Sequence, residues 1–276
     1  MIPKEMRKLI EEANATSDSV FRSKFVHLPH YVSQWLKDFG GLDGKRIMDF
    51  GCGLGTTAAS IALTRSPAAV LGVDINDEHK ACLADLRRHV SVAELPPNLA
   101  FERVLPGEMP SEGNFDIIYS WSVFEHIDKA LYDDVLRKLR DQLAGPGFLF
   151  VQIAPLYYSS EGSHLARYGL ANWEHLTSQL NHVQKRVFSA EGISAEEKNC
   201  DWGCFMTLNK VTVDDVVSAV INNGFALERL YMTKEEKLPP EELTRVFREE
   251  ALTTNQMVAL FRKVPDKSDR NAESRP

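Results

Sequence analysis

Ile47-Met48-Asp49-Phe50-Gly51-Cys52-Gly53-Leu54-Gly55-Thr56-Thr57 is the stretch on which the reading of this chain turns. A short apolar run ends in an acid and alternating glycines, then passes into residues that suit the start of a helix. Glycine reaches left-handed backbone angles without steric cost and lets main-chain amides come close to a ligand. The stretch therefore reads as a buried strand, a tight ligand-binding turn and a helix.

Working outward, short apolar runs alternate with helical patterns, which is the mark of βαβ units and a mostly parallel sheet. Strands are expected over 45–50, 69–74, 99–104, 115–121 and 147–153, and helices over 55–64, 77–90 and 129–143, with Gly145-Pro146-Gly147 ending the last of these. The alternation stops over 154–210, a segment rich in Tyr, Trp, Phe and His, and connections of that length usually carry function or structure of their own. It resumes with a helix over 212–222, a strand over 225–232, a helix over 239–247 and a strand over 256–263. The expected fold is α/β, a doubly wound and mostly parallel seven-stranded sheet. An apolar stripe of Phe21, Phe25, Val26, Tyr31, Val32, Trp35, Leu36 and Phe39 makes 1–41 a helical cap, and the charged stretch 266–276 is expected to be a disordered tail.

Composition narrows the function. With 276 residues and 43% hydrophobic content the chain can bury a large core. A formal charge of -7 offers no broad positive field for nucleic acid, so a small-molecule partner is expected and nucleic acid is not. The charged N-terminus lacks a secretory apolar stretch, and no run approaches the roughly 18 apolar residues of a membrane span, so a cytoplasmic protein without a membrane partner is expected. Cysteines at 52, 82, 200 and 204 are too scattered for a disulfide framework, and Cys200 with Cys204 is too small a set for a metal site, so no metal is expected.

Read permissively, Gly53-x-Gly55-x-x-Ala58 fits a dinucleotide fingerprint, which keeps a nicotinamide or flavin enzyme in view. Three features oppose it. Asp49 at the end of the first strand suits a cationic ligand and would repel a pyrophosphate. Asp74, in Leu71-Gly72-Val73-Asp74-Ile75, ends the second strand where an acid can accept two ribose hydroxyls. The run from Asn114 to Ile127 places small polar and aromatic residues, Ser120 and Trp121 among them, at the rim where open α/β sheets bind ligands.

Together these stretches resemble the class I S-adenosylmethionine-dependent methyltransferases, of the kind found in bacterial polysaccharide and natural-product pathways. The likeness rests on Asp49 to Gly55, on Gly72-Val73-Asp74-Ile75, on Phe115 to Ser120 followed by Phe124-Glu125-His126-Ile127, and on Gly145 to Leu149. It covers about 45–153, the last strand fits the family's antiparallel hairpin, and the methyltransferase domain is taken as 42–265. The resemblance implies S-adenosylmethionine as cofactor and S-adenosylhomocysteine as product. It implies that Gly51 and Gly53 pass under the methionine portion, that Asp49 organises the turn near its ammonium, and that Asp74 holds the ribose, with Cys52, Ile75, Ser120 and Trp121 as further cofactor-binding candidates. Many relatives have an Asp after the third strand for the adenine amino group, whereas this chain has Leu105. Adenine is then expected to rest on backbone groups and apolar packing, or on Glu108. Plain alternatives are Asp49 as a turn-former, Asp74 as a helix cap and Cys52 as a packing residue.

Methyl transfer to a hydroxyl needs an aligned nucleophile and a base. The segment after the fifth strand leaves the same rim as the glycine turn, so 154–210 is expected to be a substrate lid. His164 is the preferred base, because imidazole accepts a proton at neutral pH, and its plain alternative is a histidine bonded within the lid. His126 is a second catalytic candidate that also suits a packing role. Tyr157, Tyr158 and His175 are candidate substrate contacts. The short lid motif resembles enzymes acting on small hydroxylated acceptors such as sugar derivatives. A cofactor-binding sensor without catalysis and a nicotinamide-dependent oxidoreductase stand as rival readings.

Overall fold

The computed structural model describes residues 3–265, so the stretch 266–276 expected to be disordered lies outside the described residues. Its strands are β1 (Arg46–Phe50), β2 (Ala69–Asp74), β3 (Leu99–Arg103), β4 (Phe115–Trp121), β5 (Leu143–Ile153), β6 (Phe225–Lys234) and β7 (Thr254–Lys263). They form one seven-stranded sheet in the order β3-β2-β1-β4-β5-β7-β6. The first five run parallel, and β7 inserts antiparallel between β5 and β6. Chain order reverses beside β1, and the crevice at that switch point is where an open α/β sheet takes its ligand.

Adjacent residues of β1 face opposite layers. Met48 joins a core with Val73, Ile118, Val151 and Leu139, whereas Ile47 joins one with Val70, Tyr119, Phe150 and Val32. Burial on both faces explains why these strands read as continuous apolar runs.

Twelve helices are described: α1 (Lys4–Ala15), α2 (Ser19–Arg22), α3 (Leu28–Leu36), α4 (Thr56–Thr64), α5 (Cys82–His89), α6 (Tyr132–Gln142), α7 (Glu174–Thr177), α8 (Leu180–Ser189), α9 (Ala195–Thr207), α10 (Val213–Asn222), α11 (Glu241–Thr244) and α12 (Glu249–Thr253). The first three form the N-terminal cap, and Val32 and Leu36 of α3 pack with Ile61 of α4 and Phe150 of the sheet.

Some boundaries differ from the sequence reading. Strand β5 begins at Leu143, and Gly145-Pro146-Gly147 lies within its range at a register shift between Phe115 and Ile117 of β4. A bulge tolerates a proline that cannot donate to the ladder, so this tripeptide bends a strand instead of ending a helix. The helix expected over 77–90 opens as a 3-10 turn at Glu78–Ala81 before α5. The helix expected over 239–247 is reduced to the single turn α11, with α12 following beyond it, since a segment this short has little cooperative drive of its own.

The 154–210 insertion is helical. Leu165, Tyr168, Val183, Val187, Phe205 and Leu208 give it a small core of its own. Trp173 donates from Nε1 to Tyr158 O at 3.1 Å, within the insertion, and to Leu252 O of α12 at 3.2 Å, which ties the insertion to the helix that precedes β7. Among the described residues no helix is long and apolar enough to cross a membrane.

Candidate functional site

The turn after β1 is cinched to its neighbour, because Gly51 N and Cys52 N donate to Val73 O at 2.8 and 3.0 Å. Gly51 has φ +81°, and a Cβ there would lie 2.3 Å from Val123 Cγ2. Val123 follows β4, so the ends of β1 and β4 meet so closely that only glycine fits. At Gly53 the nearest atom to such a Cβ is Glu78 Oε2, 3.8 Å away. The turn is therefore packed on its inner side and open above.

Asp74 ends β2 and organises the turn from the other side. One carboxylate oxygen accepts from Gly53 N at 2.8 Å and the other from Asn76 N at 2.8 Å. Each oxygen keeps a second lone pair, which leaves capacity for two hydroxyl donors. Ile75 and Leu105 stand at the rims of β2 and β3 and are exposed, at 49% and 58%. Exposed side chains of that size beside a carboxylate present apolar flanks to a flat ring. Glu108 is exposed on the turn that its own N–H closes to Leu105 O.

Asp49 is buried, and its carboxyl is pushed up to about 7, first by burial and further by the charge of Asp74. The nearby Tyr119 hydroxyl and Lys24 work in the opposite direction without cancelling the effect. A buried carboxylate whose ionisation is opposed by burial and by a neighbouring carboxylate is relieved by a cation beside it. This is the fit of the site to a positively charged nucleoside. Burial also raises the Cys52 thiol strongly, so it is a packing group and no thiolate nucleophile.

Along the rim, Ser120 is buried, its hydroxyl without a hydrogen-bond partner among the described residues, and Trp121 sits between Tyr31 of α3 and Phe150, at ring distances of 5.7 and 6.3 Å. Ser122, at φ +53°, donates to Gln152 Oε1 at 3.1 Å and ties β4 to β5.

The histidines of the insertion and of the β4 turn meet here. The rings of His126 and His164 lie edge to face at 5.6 Å. His164, at φ +61°, has Nε2 at 3.0 Å from Pro155 O. A carbonyl only accepts, so Nε2 carries the proton and Nδ1 is left as a bare acceptor. Burial lowers His164 and pushes His126 down to about 4, so both are neutral at pH 7.

His175 is buried, pushed down to about 4, and donates from Nε2 to Tyr157 O at 2.7 Å. Tyr157 packs on His175 at 5.2 Å. Tyr158 turns toward Phe247 and lines a separate cavity of about 450 Å³ with Leu156, Val213 and Met232.

The structure thus gathers Asp49, Gly51, Cys52, Gly53 and Asp74 at one end of the rim, and His126, His164, His175 and Tyr157 around the insertion. Tyr158 meets this group only through Tyr157, whose ring it packs edge-on at 5.3 Å, and its other ring contact is Phe247. Val123, Ser122 and Gln152 were not legible as parts of this rim, because each acts through a contact distant in sequence. Cys200 and Cys204 are exposed on α9, and the described residues include no group of three or more His, Cys, Asp or Glu placed to hold a metal.

A family profile described as "Methyltransferase domain" matches residues 25–199, more than half of the chain. The chain is 35% identical over 99 residues to a ubiquinone biosynthesis O-methyltransferase of Alkalilimnicola ehrlichii, covering 35% of this chain and 36% of that one. A protein of the same name from Acinetobacter baumannii is 36% identical over 90 residues, covering 32% and 35%. The chain spans about a third of the length of these curated relatives. Among solved structures, magnesium protoporphyrin IX methyltransferase from Synechocystis PCC 6803 with bound SAH superposes with a TM-score of 0.51 at 16% identity, over 90% of this chain and 89% of that one. The cyclase SpnF superposes with a TM-score of 0.53 at 14% identity, over 86% and 81%. Likeness at that level shows the fold, and the two neighbours' different names show that the fold does not fix the reaction.

Proposed function

The chain belongs to the methyltransferase-domain family, its cofactor is S-adenosylmethionine, and from that premise we propose that it methylates a hydroxyl of a small acceptor held beneath the 154–210 insertion. The observation that carries this reading is the join of two features along one sheet end. A pair of mutually repelling carboxylates, Asp49 and Asp74, flanks the glycine turn, and a neutral His126–His164 pair stands where the insertion leaves β5.

When bound, the cofactor supplies a methyl group already activated by a sulfonium. Asp49 would face its ammonium, Gly51, Cys52 and Gly53 would let its methionine portion approach the backbone, and Asp74 would accept from its ribose hydroxyls. Ile75 and Leu105 would offer adenine apolar flanks in place of an acidic partner, and Ser120 and Trp121 would complete the rim. His164 takes the acceptor's proton at Nδ1 because Pro155 O holds its other nitrogen protonated. His126 packs edge-on against that ring and fixes its plane, while Tyr157 and His175 wall the acceptor.

Oxygen as the acceptor atom is supported by the names of the relatives. The formal charge of -7 supports a small acceptor over nucleic acid. Family membership removes the nicotinamide-dependent reading. The test is a screen of catechols, phenols and sugar derivatives for release of S-adenosylhomocysteine, with calorimetry of that product alongside. Tight product binding with no turnover on any hydroxylated acceptor would reject catalysis and favour a cofactor-binding sensor.

A further inference from the structure

The insertion ends in a rivet. Asn209 N donates to Glu125 O at 2.9 Å, and its side-chain nitrogen donates to Phe124 O and Ile127 O at 2.7 and 2.8 Å. One buried side chain thus holds the end of the insertion against the turn that carries His126. The next residue, Lys210, has φ +60°, a conformation uncommon for residues other than glycine. Its ammonium stands 5.1 Å from the centre of the Tyr157 ring. Tyr157 in turn packs on His175, and its hydroxyl makes no hydrogen bond among the described residues.

The charge balance around this lysine is one-sided. Among the described residues Lys210 forms no ion pair, although the chain as a whole is acidic. His175 is pushed down to about 4, first by burial and least by Lys210, and burial lowers His164 as well, so the imidazoles are neutral at pH 7. Glu125, on the turn that Asn209 grips, is buried and pushed up to about 8, so it is mostly protonated there. The cluster therefore holds one formal positive charge, on an exposed lysine that an incoming anion can reach from solvent, with no counter-ion among the described residues. Both His164 and Lys210 occupy left-handed backbone, and strain of that kind gathers at functional sites.

We propose that Lys210, held over Tyr157 by the Asn209 rivet, binds an oxyanion carried by the methyl acceptor, a carboxylate or a phosphate, with the Tyr157 hydroxyl as second donor. This rests on the methyltransferase reading and adds the substrate class: an acidic, hydroxylated small molecule. The anion anchors at Lys210 while the hydroxyl to be methylated reaches the His126–His164 pair. Specificity would then come from a charge-assisted hydrogen bond, roughly twice as strong as a neutral one.

The protein saturated with S-adenosylhomocysteine is titrated separately with inorganic phosphate and with acetate, following the ring-proton resonances of its histidines. The expected result is a saturable shift of His175 or His164 in the millimolar range for one of the two anions, which identifies the source. Lys210→Gln should weaken that response by about tenfold or more, and Lys210→Arg should stay within about threefold, as expected for one charged hydrogen bond. Equal anion affinity in Lys210→Gln, or no saturable shift with either anion below about 50 mM, would overturn the proposal. Calorimetry of S-adenosylhomocysteine on the same samples separates the two readings. Loss of that binding in the wild type strikes the cofactor site, whereas intact binding in Lys210→Gln shows that the variant is folded.

Discussion

The half of the sheet end built on the glycine turn and the half built by the insertion solve the same problem by different means. On the cofactor side, function follows from backbone shape. Gly51 and Gly53 adopt left-handed angles, and Asp74 receives the N–H groups of Gly53 and Asn76. On the side proposed for the acceptor, the arrangement rests on side chains brought together across long stretches of sequence, such as His126 with His164 and Asn209 with the 124–127 turn. The first arrangement tolerates almost no change at its glycines. The second can be altered residue by residue without disturbing the first.

That contrast can be broken most forcefully at Gly51. Gly51→Ala places a Cβ 2.3 Å from Val123 Cγ2 at φ +81°, so overpacking and backbone strain together should cost about 2–5 kcal/mol. Thermal melts should show a large fall in stability and calorimetry no cofactor binding. Adding Val123→Ala should recover the packing part and leave the strain.

His164→Gln is the next largest effect and should fall on one side only. Turnover should drop by about 10²–10⁴-fold, the usual range for a general base, with affinity for S-adenosylhomocysteine unchanged. Comparable losses in both would mean that the insertion and the cofactor turn are a single unit.

Asp49 gives a smaller effect that depends on pH. Its carboxyl titrates at about 7 in the folded protein, while in the unfolded chain it loses its proton near the ordinary value of about 4. Between those values the folded state holds the extra proton, so this group makes stability fall as pH rises from about 4 to about 7 and has no further effect above. Cofactor affinity should move the opposite way over the same window, because the ammonium favours the ionised form. Calorimetry in buffers of different ionisation enthalpy should detect a proton released on binding at pH 6 and little release at pH 8. Asp49→Asn should remove both dependences.

The smallest effect is expected at Cys52. Cys52→Ala should keep turnover and cost no more than about 1–2 kcal/mol, in line with a buried sulfur that only packs.

Legibility in the sequence followed the same division. The apolar runs that became β2 and β4 were read to the residue, because strands buried on both faces appear as uninterrupted apolar segments. Asp49, Asp74 and the glycines announce themselves by type and spacing. Gly145-Pro146-Gly147 misled, since its usual meaning as a stop was overridden by a bulge in β5. The insertion hid its helices behind an absence of strands, although Ser194 and Glu197 form a capping box that marks the start of α9. Nothing local to Tyr158 revealed that it would face Phe247, and nothing local to Lys210 that it would stand over Tyr157. Contacts of that kind depend on how the insertion folds back, and periodicity is blind to it.

The central claim is that Asp49 and Asp74 form a receptor for a positively charged nucleoside, and calorimetry of S-adenosylhomocysteine on the wild type and on Asp74→Ala tests it most directly. The account predicts clear binding by the wild type and a loss of about 10–100-fold in the variant, the worth of charged hydrogen bonds to the ribose. A folded wild type that ignores the nucleoside, or an Asp74→Ala protein that binds it equally well, would contradict it.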